Sequence, residues 1–434
     1  MNLGEGSSNQ AATRQPPGRP SDYAARRAST GLGLDRRLVQ QLVEFIEPAP
    51  VRFELWDGSS LQSGRQPARV TLRLADRNAL VALCVHPELY FGDLYSSGRL
   101  QVAGDLVALI ESIYRSLQRL HDGPAWLRAL RRLYDRRIHN TPAAARENIH
   151  RHYDLGNDFY ALWLDRDHMQ YTCAYYPDPA LPLEAAQAAK LHHVCRKLQL
   201  RPGERVVEAG CGWGGLACFM AREYGVHVRA YNISTEQVRL ARARAAAQGL
   251  QRQVEFVEDD YRNVDGRYDA FVSVGMLEHV GPSAYPELAA VLGRCLEPHG
   301  RGLLHSIGRS APRPMNAWIE RRIFPGAYPP SLGEMMAVLE PGRFAVRDVE
   351  NLRQHYAQTL RHWLERFETQ RESIAASFDD EFVRAWRLYL SGSIAAFSTG
   401  QLQLYQVLFA HPDNLAESWS RAWLYDGQGP GSGA

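Results

Sequence analysis

The stretch ERVVEAGCGWGGLACFMAREYG, residues 204–225, constrains the fold more than any other. A β-branched apolar run enters a turn carrying Gly210, Gly212 and Gly215, and an apolar helical pattern leaves it and stops at Gly225. Strand, glycine turn and helix in this order open a nucleotide-binding βαβ unit. The pattern then repeats. VHVRAYNIS reads as a second strand, and TEQVRLARARAAAQGL as a helix capped by Ser234 or Thr235 and closed by Gly249. QVEFVEDDY, YDAFVSVGM and GRGLLHSIG read as further strands between helical stretches. Alternation of this kind predicts an α/β fold with a doubly wound, mostly parallel, Rossmann-like sheet.

Upstream the texture differs. Residues 1–33 are rich in Gly, Ser, Pro and Arg and are expected to be disordered. Residues 34–115 read as a small α+β domain. LVQQLVEFI has helical spacing, VRFEL and RVTLRL alternate as strands, ALVALCV reads as another strand, and DLVALIESIYRSL returns to helix. A basic helical linker is expected over 116–149, the α/β domain over 150–426, and a loose tail over 427–434.

Which cofactor the turn holds is decided by its neighbours. Nicotinamide enzymes place an acid at the end of the second strand, but here that strand ends AYNIS. The acid is instead Glu208, two residues before the first glycine, and a second acid pair, Asp259–Asp260, follows the third strand. This E-x-G-x-G-x-G arrangement suits S-adenosylmethionine. Its methionine end carries an ammonium and a sulfonium, so carboxylates are wanted near the turn, and glycines let the backbone approach the adenosyl group.

Charge and cysteine usage exclude other classes. The net charge of +2 does not argue for nucleic acid, although Arg pairs are clumped at Arg26–Arg27, Arg36–Arg37, Arg131–Arg132, Arg136–Arg137 and Arg321–Arg322. Solvated helix faces account for most such pairs, and an anionic membrane surface is the sharper reading. The six cysteines form no C-x-x-C pair and no zinc spacing, so no metal is expected and a reducing cytoplasm fits. No apolar run is long enough to span a bilayer, and no signal peptide is expected.

Five further stretches are specific: HYDLGNDFYALWLD (152–165), MQYTCAYY (169–176), VGMLEHVG (274–281), LLHSIG (303–308) and ENLRQHYAQTL (350–360). With them the chain resembles the cyclopropane-fatty-acyl-phospholipid synthase family, which includes the mycolic acid cyclopropane synthases, over about 150 to 425. FGDLYSSGRL, at 91–100, is similar to a segment of that family's N-terminal lipid-binding domain.

The resemblance implies a class I S-adenosylmethionine methyltransferase domain and a specific reaction. A methylene derived from the cofactor's methyl group is added across a cis double bond of a phospholipid acyl chain. An alkene is a poor nucleophile, so it must be held in line with the sulfonium. Water must be excluded from the cation formed on the chain, and aromatic faces can stabilise that cation. Tyr171, Tyr175, Tyr176, Trp213 and Tyr261 are the candidates.

The resemblance also implies bound bicarbonate as the base that removes the last proton, held by Cys173, Glu278, His305, the Ile307 backbone and Tyr356. For the cofactor it implies Tyr171, Thr172, Glu208, Gly210, Cys211, Gly212, Trp213, Gly214, Asn232, Ile233, Ser234, Gln237, Asp260, Tyr261 and Arg262. Taken singly, Cys173 reads as a small buried hydrophobe, Glu278 as a surface cap and His305 as a core histidine. Their joint occurrence in matching motifs favours the functional reading. His150, His152, His192 and His193 read as structural or exposed.

The expected partners are a phospholipid with an unsaturated acyl chain, the inner face of the cell membrane as a peripheral docking surface, and a second copy of the chain in a homodimer. Glu208, Asn232 and Leu352 stand where many relatives have Asp, Thr and Phe. Two other products therefore stay open at this point: a methyl- or methylene-branched chain from a related lipid methyltransferase, or none, from a non-catalytic lipid-binding protein on the same fold.

Overall fold

A computed structural model of the chain describes residues 22–46, 49–63, 66–119, 155–414 and 419–425. Its larger sheet has seven strands: β5 (Arg205–Ala209), β6 (His227–Asn232), β7 (Val254–Glu258), β8 (Tyr268–Val274), β9 (Leu296–Gly308), β10 (Ala345–Asn351) and β11 (Gln403–Ala410). The order is β10-β11-β9-β8-β5-β6-β7. Strands β5 to β9 pair in parallel, while β11 runs antiparallel to both β9 and β10. The expected doubly wound sheet is therefore present.

Alternation along β5 sends Val206 to one apolar layer and Val207 to the other. Both are fully buried, as a parallel sheet covered on both faces requires. The chain leaves β5 toward β6 and β7, then returns to place β8 on β5's other side. That reversal opens a crevice at the carboxyl ends of β5 and β8, where doubly wound sheets bind ligands.

The N-terminal unit is a four-stranded sheet, β2-β1-β3-β4, built from β1 (Val51–Glu54), β2 (Ser60–Gln62), β3 (Val70–Leu74) and β4 (Leu100–Ala103). ALVALCV is not a strand; it lies in the helix Arg77–Val85. Asp76 caps that helix, accepting from the Ala79 amide at 2.9 Å. Ala79, Leu80 and Leu83 are buried, a helical spacing that a short apolar run does not distinguish from a strand. FGDLYSSGRL divides between the helix Pro87–Ser96 and β4. The first helix starts at Asp22, inside the segment that composition assigns to disorder, because AARRAS and the following leucines favour helix. Residues 1–21, the linker beyond Arg119 and the tail lie outside the described residues.

The two units share one apolar cluster, in which Leu80, Leu94 and Leu109 join Trp163, Trp318 and Trp386. A Cβ added to Gly92 would lie 2.4 Å from the Trp318 ring, so only glycine lets the helix Pro87–Ser96 approach the helix Ala317–Arg322 this closely. Arg322 holds both carboxylate oxygens of Asp93 at 2.9 Å across the same contact.

Candidate functional site

A cleft of about 750 Å³, measured to its open mouth, sits at the ends of β5 and β8. The glycine turn forms its floor. Gly210 and Cys211 donate their amides to the Tyr231 carbonyl, which fastens the turn to β6. Gly210, Gly212 and Gly214 all have positive φ, as such a tight turn demands. A Cβ on Gly212 would meet nothing within 4 Å, so a side chain there would enter the cleft. Asn232 Nδ2 donates to the Gly212 carbonyl at 3.1 Å and to Gln237 Oε1 at 2.9 Å. The end of β6 is thus occupied by two amides where a dehydrogenase carries an acid.

Of the residues expected at the cofactor, Tyr171, Thr172, Glu208, Gly210, Cys211, Gly212, Trp213, Asn232 and Gln237 line the cleft. The others do not line it. Gly214 starts the helix Gly215–Tyr224, and a Cβ on it would strike Phe256. Ile233 joins Asn232 to Ser234, which caps the helix Thr235–Ala247. Asp260 caps the turn Tyr261–Asn263 and pairs with Arg262, whose guanidinium lies over the Tyr261 ring. Gln170, Met276 and His279 line the cleft as well, although the sequence reading did not single them out.

Glu208 is buried, and its Oε2 has no hydrogen-bond partner among the described residues. Burial pushes its carboxyl up to about 8, with Lys190 acting in the opposite direction. An unpaired buried carboxylate oxygen at the floor of a glycine-lined cleft fits the ammonium of S-adenosylmethionine.

The five residues assigned to the bicarbonate cage do not line this cleft. They are knitted together beside it. Ile307 and His305 face Leu404 and Gln406 across the β9–β11 ladder. Leu404 accepts the Leu352 amide, and the Leu352 carbonyl accepts the Tyr356 amide at 3.2 Å and the Cys173 thiol at 3.9 Å. Glu278, in the helix Leu277–Val280 that follows β8, receives the Ile307 amide on Oε1 at 2.6 Å. Ile307 therefore orients Glu278, and its amide is already engaged.

The charges of this group follow from burial. It pushes Glu278 up to about 7, holds the Cys173 thiol protonated and keeps His305 neutral. The Gln406 amide donates to His305 Nδ1 at 3.0 Å, which puts the ring proton on Nε2. Glu278 Oε2 and His305 Nε2 are both buried without a partner among the described residues. An acceptor and a donor left unpaired in one polar cluster fit a small hydrogen-bonding anion such as bicarbonate.

Aromatic rings connect cleft and cluster. Tyr171 packs on Trp363 with ring centroids 5.4 Å apart, and Trp363 meets Tyr356 edge-on at 5.9 Å. Tyr160 lies 5.1 Å from Trp213 and 5.4 Å from Tyr171. Of the aromatic candidates named from sequence, Tyr171 and Trp213 border the cleft. Tyr175 and Tyr176 instead stack on His355, and Tyr261 lies beneath Arg262. Tyr160, Trp163 and Trp363, which sequence alone does not single out, are the rings packed there instead; Tyr160 and Trp163 sit in the aromatic-rich stretch 152–165, while Trp363 lies beyond the quoted motifs. His192 is held by Tyr224 and His193 by Glu350, in keeping with structural roles.

Comparison with known proteins agrees with this geometry. A family model described as mycolic acid cyclopropane synthetase matches residues 140–407, and one described as a domain of unknown function matches residues 38–122. A Pseudomonas putida protein named "probable fatty acid methyltransferase" is 39% identical over 372 residues, 84% of this chain and 92% of that one. The cyclopropane-fatty-acyl-phospholipid synthase of Escherichia coli strain K12 is 44% identical over 260 residues, 60% of this chain and 66% of that one. The structure of mycolic acid cyclopropane synthase CmaA1 complexed with SAH and CTAB superposes with a TM-score of 0.58 at 28% identity, covering 63% of this chain and 99% of that one. The chain belongs to the mycolic acid cyclopropane synthetase family and is an S-adenosylmethionine-dependent methyltransferase.

Proposed function

We propose that the protein converts the cis double bond of an unsaturated phospholipid acyl chain into a cyclopropane ring, with bound bicarbonate as the base. The observation that carries the reading is the pair of unpaired buried atoms, Glu278 Oε2 and His305 Nε2, in a cluster joined by aromatic rings to the cleft. An enzyme that only moved a methyl group to an exposed heteroatom would not need them.

S-adenosylmethionine supplies an electrophilic methyl group. Glu208 binds the cofactor's ammonium, while the amides of Asn232 and Gln237 face its ribose. Tyr171, Trp213, Tyr160 and Trp363 exclude water and present π faces to positive charge developing on the acyl chain. Glu278 accepts the bicarbonate hydroxyl proton in a hydrogen bond and His305 donates from Nε2. Tyr356 and Cys173 complete the enclosure, and the bicarbonate takes the final proton.

Among the described residues no helix is long and apolar enough to cross a membrane. The substrate must then be drawn from a bilayer on which the protein docks, and the N-terminal unit is the proposed docking element. Homodimerisation is part of the same proposal. The name of the Pseudomonas putida relative is equally compatible with a second product, a methyl- or methylene-branched chain that keeps a double bond because the proton is lost elsewhere. Mass spectrometry of lipids from an expressing host tests both: each product gains one CH₂, but only the ring resists ozonolysis. Unchanged lipids would overturn both.

A further inference from the structure

The part of the cleft wall formed by Gln170 and Thr172 hangs from one helix, Leu183–Lys197, and Gln170 abuts the glycine turn at Gly215. Gln187 and Lys190 of that helix are completely buried. Gln187 Nε2 donates to the Thr172 carbonyl at 2.9 Å. Lys190 Nζ donates to Thr172 Oγ1 at 3.0 Å and to Gln170 Oε1. Both acceptors belong to residues that line the cleft. The loop before them is shaped by Asp165, whose two carboxylate oxygens take the amides of His168 at 2.8 Å and Gln170 at 2.6 Å. Met169, between them, has a φ of 49°, a conformation that non-glycine residues adopt only when held.

A completely buried ammonium is costly unless it is compensated. The titratable groups facing Lys190 are Asp165, Cys173, Cys195 and Glu208, together with His168 and His305. Those facing Glu208 are Lys190, Cys195, Cys211 and Cys218. Burial keeps the four thiols protonated and both histidines neutral. The groups left to carry charge are Lys190, which burial lowers to about 8, and the carboxyls of Asp165 and Glu208, both raised by burial, Glu208 to about 8. Asp165 is satisfied by backbone amides, whereas Glu208 Oε2 has no partner among the described residues.

We propose that Lys190 is a positioning residue of the cofactor site, bracing Gln170 and Thr172 beside the glycine turn and favouring the ionised form of Glu208 that receives the cofactor's ammonium. The proposal rests on S-adenosylmethionine binding in this cleft. Lys190 itself does not line the cleft, so it acts through the three residues that do.

Calorimetric titration of the full-length protein with S-adenosylhomocysteine between pH 6.5 and 8.5 tests it. This ligand keeps the ammonium and lacks the sulfonium, which isolates the contact in question. Lys190→Met removes both brace and charge, and is expected to weaken binding at least about tenfold across the range. Lys190→Gln keeps a donor but removes the charge. Its loss is expected to be about tenfold at pH 6.5 and about threefold at pH 8.5, the pattern of a Glu208 carboxyl that has become harder to ionise. A Gln variant whose deficit does not change with pH, or that binds like wild type, overturns the proposal. Near-UV circular dichroism confirms folding, and if the Met variant does not fold the Gln profile decides alone. Failure of the wild type to bind would instead remove the cofactor reading itself.

Discussion

The Ile307 backbone amide donates to Glu278 Oε1 at 2.6 Å, and this contact ties the end of β9 to the helix that follows β8. It fixes one carboxylate oxygen and leaves the other unpaired among the described residues. Burial raises this carboxyl to about 7, so it is mostly protonated below that pH and mostly ionised above it. If the ionised form is the acceptor, kcat rises as pH increases through about 7. The Glu208 carboxyl is matched by the cofactor in the ternary complex, so it affects kcat/KM rather than kcat. A pH profile of kcat at saturating cofactor checks this. A flat profile between pH 6 and 8 would remove Glu278 from the proton-handling group.

Gly212 has a φ of 52° and open space where a Cβ would go. Gly212→Val forces a β-branched residue into the left-handed region and places its methyls in the cleft. The variant should lose about 1–2 kcal/mol of stability from backbone strain and bind S-adenosylhomocysteine too weakly to titrate. Wild-type affinity in a folded variant would show that the cofactor lies elsewhere.

At Gly92 the obstacle is Trp318, whose ring would be 2.4 Å from an added Cβ. Gly92→Ala must push two helices apart, an overpacking that costs about 1–3 kcal/mol. Urea denaturation should show the loss. Hydrogen exchange should speed up first in Pro87–Ser96 and Ala317–Arg322, the two helices in contact. A melting curve identical to wild type would mean that the units are not packed as described.

How much of this was legible in the sequence follows from the range of the forces involved. The large sheet was readable because β5 and β8, at the centre of its parallel part, are runs of buried apolar residues and helical repeats alternate with the strands around them. The glycine turn declared itself through spacing alone. ALVALCV misled because all seven of its residues are apolar and so fit either period, and only the Asp76 cap and packing on the N-terminal sheet settle it as helix. β2 and β4 are short and half exposed, so their local pattern is faint. Lys190 gave no signal because its importance lies in contacts with Gln170 and Thr172, twenty and eighteen residues away. Tyr175 pointed elsewhere than expected because its ring is fixed between His193 and His355, partners that only the tertiary fold brings near.

The helix Arg77–Val85 turns Val81 and Val85 outward, and Val85 is 74% exposed. Two valines on an outer helix face, in the unit proposed to dock, are suited to shallow insertion among lipid headgroups. The double variant Val81→Ser, Val85→Ser should reduce co-sedimentation with anionic liposomes while leaving cofactor affinity unchanged. Binding of the wild type should rise with anionic lipid and fall with added salt. Equal sedimentation of variant and wild type would assign docking to another surface.

The base itself is open to direct test, because two chemically distinct arrangements predict different responses. If bicarbonate takes the proton, Glu278 serves to hold it. Glu278→Gln then loses the acceptor for the bicarbonate hydroxyl, and turnover drops by about 10²–10⁴-fold, the usual worth of a positioned base. Affinity for S-adenosylhomocysteine changes little, since Glu278 does not line the cofactor cleft. Cys173→Ser is milder because a hydroxyl still donates. Stripping bicarbonate from the buffer slows the wild type, and restoring it brings the rate back. If Glu278 takes the proton directly, the Gln variant is equally impaired but the wild type ignores bicarbonate. Rates of lipid methylation for both proteins, with and without bicarbonate, separate the two cases. A fully active Glu278→Gln enzyme would exclude both, leaving His305, neutral and carrying its proton on Nε2, as a hydrogen-bond donor with no base beside it.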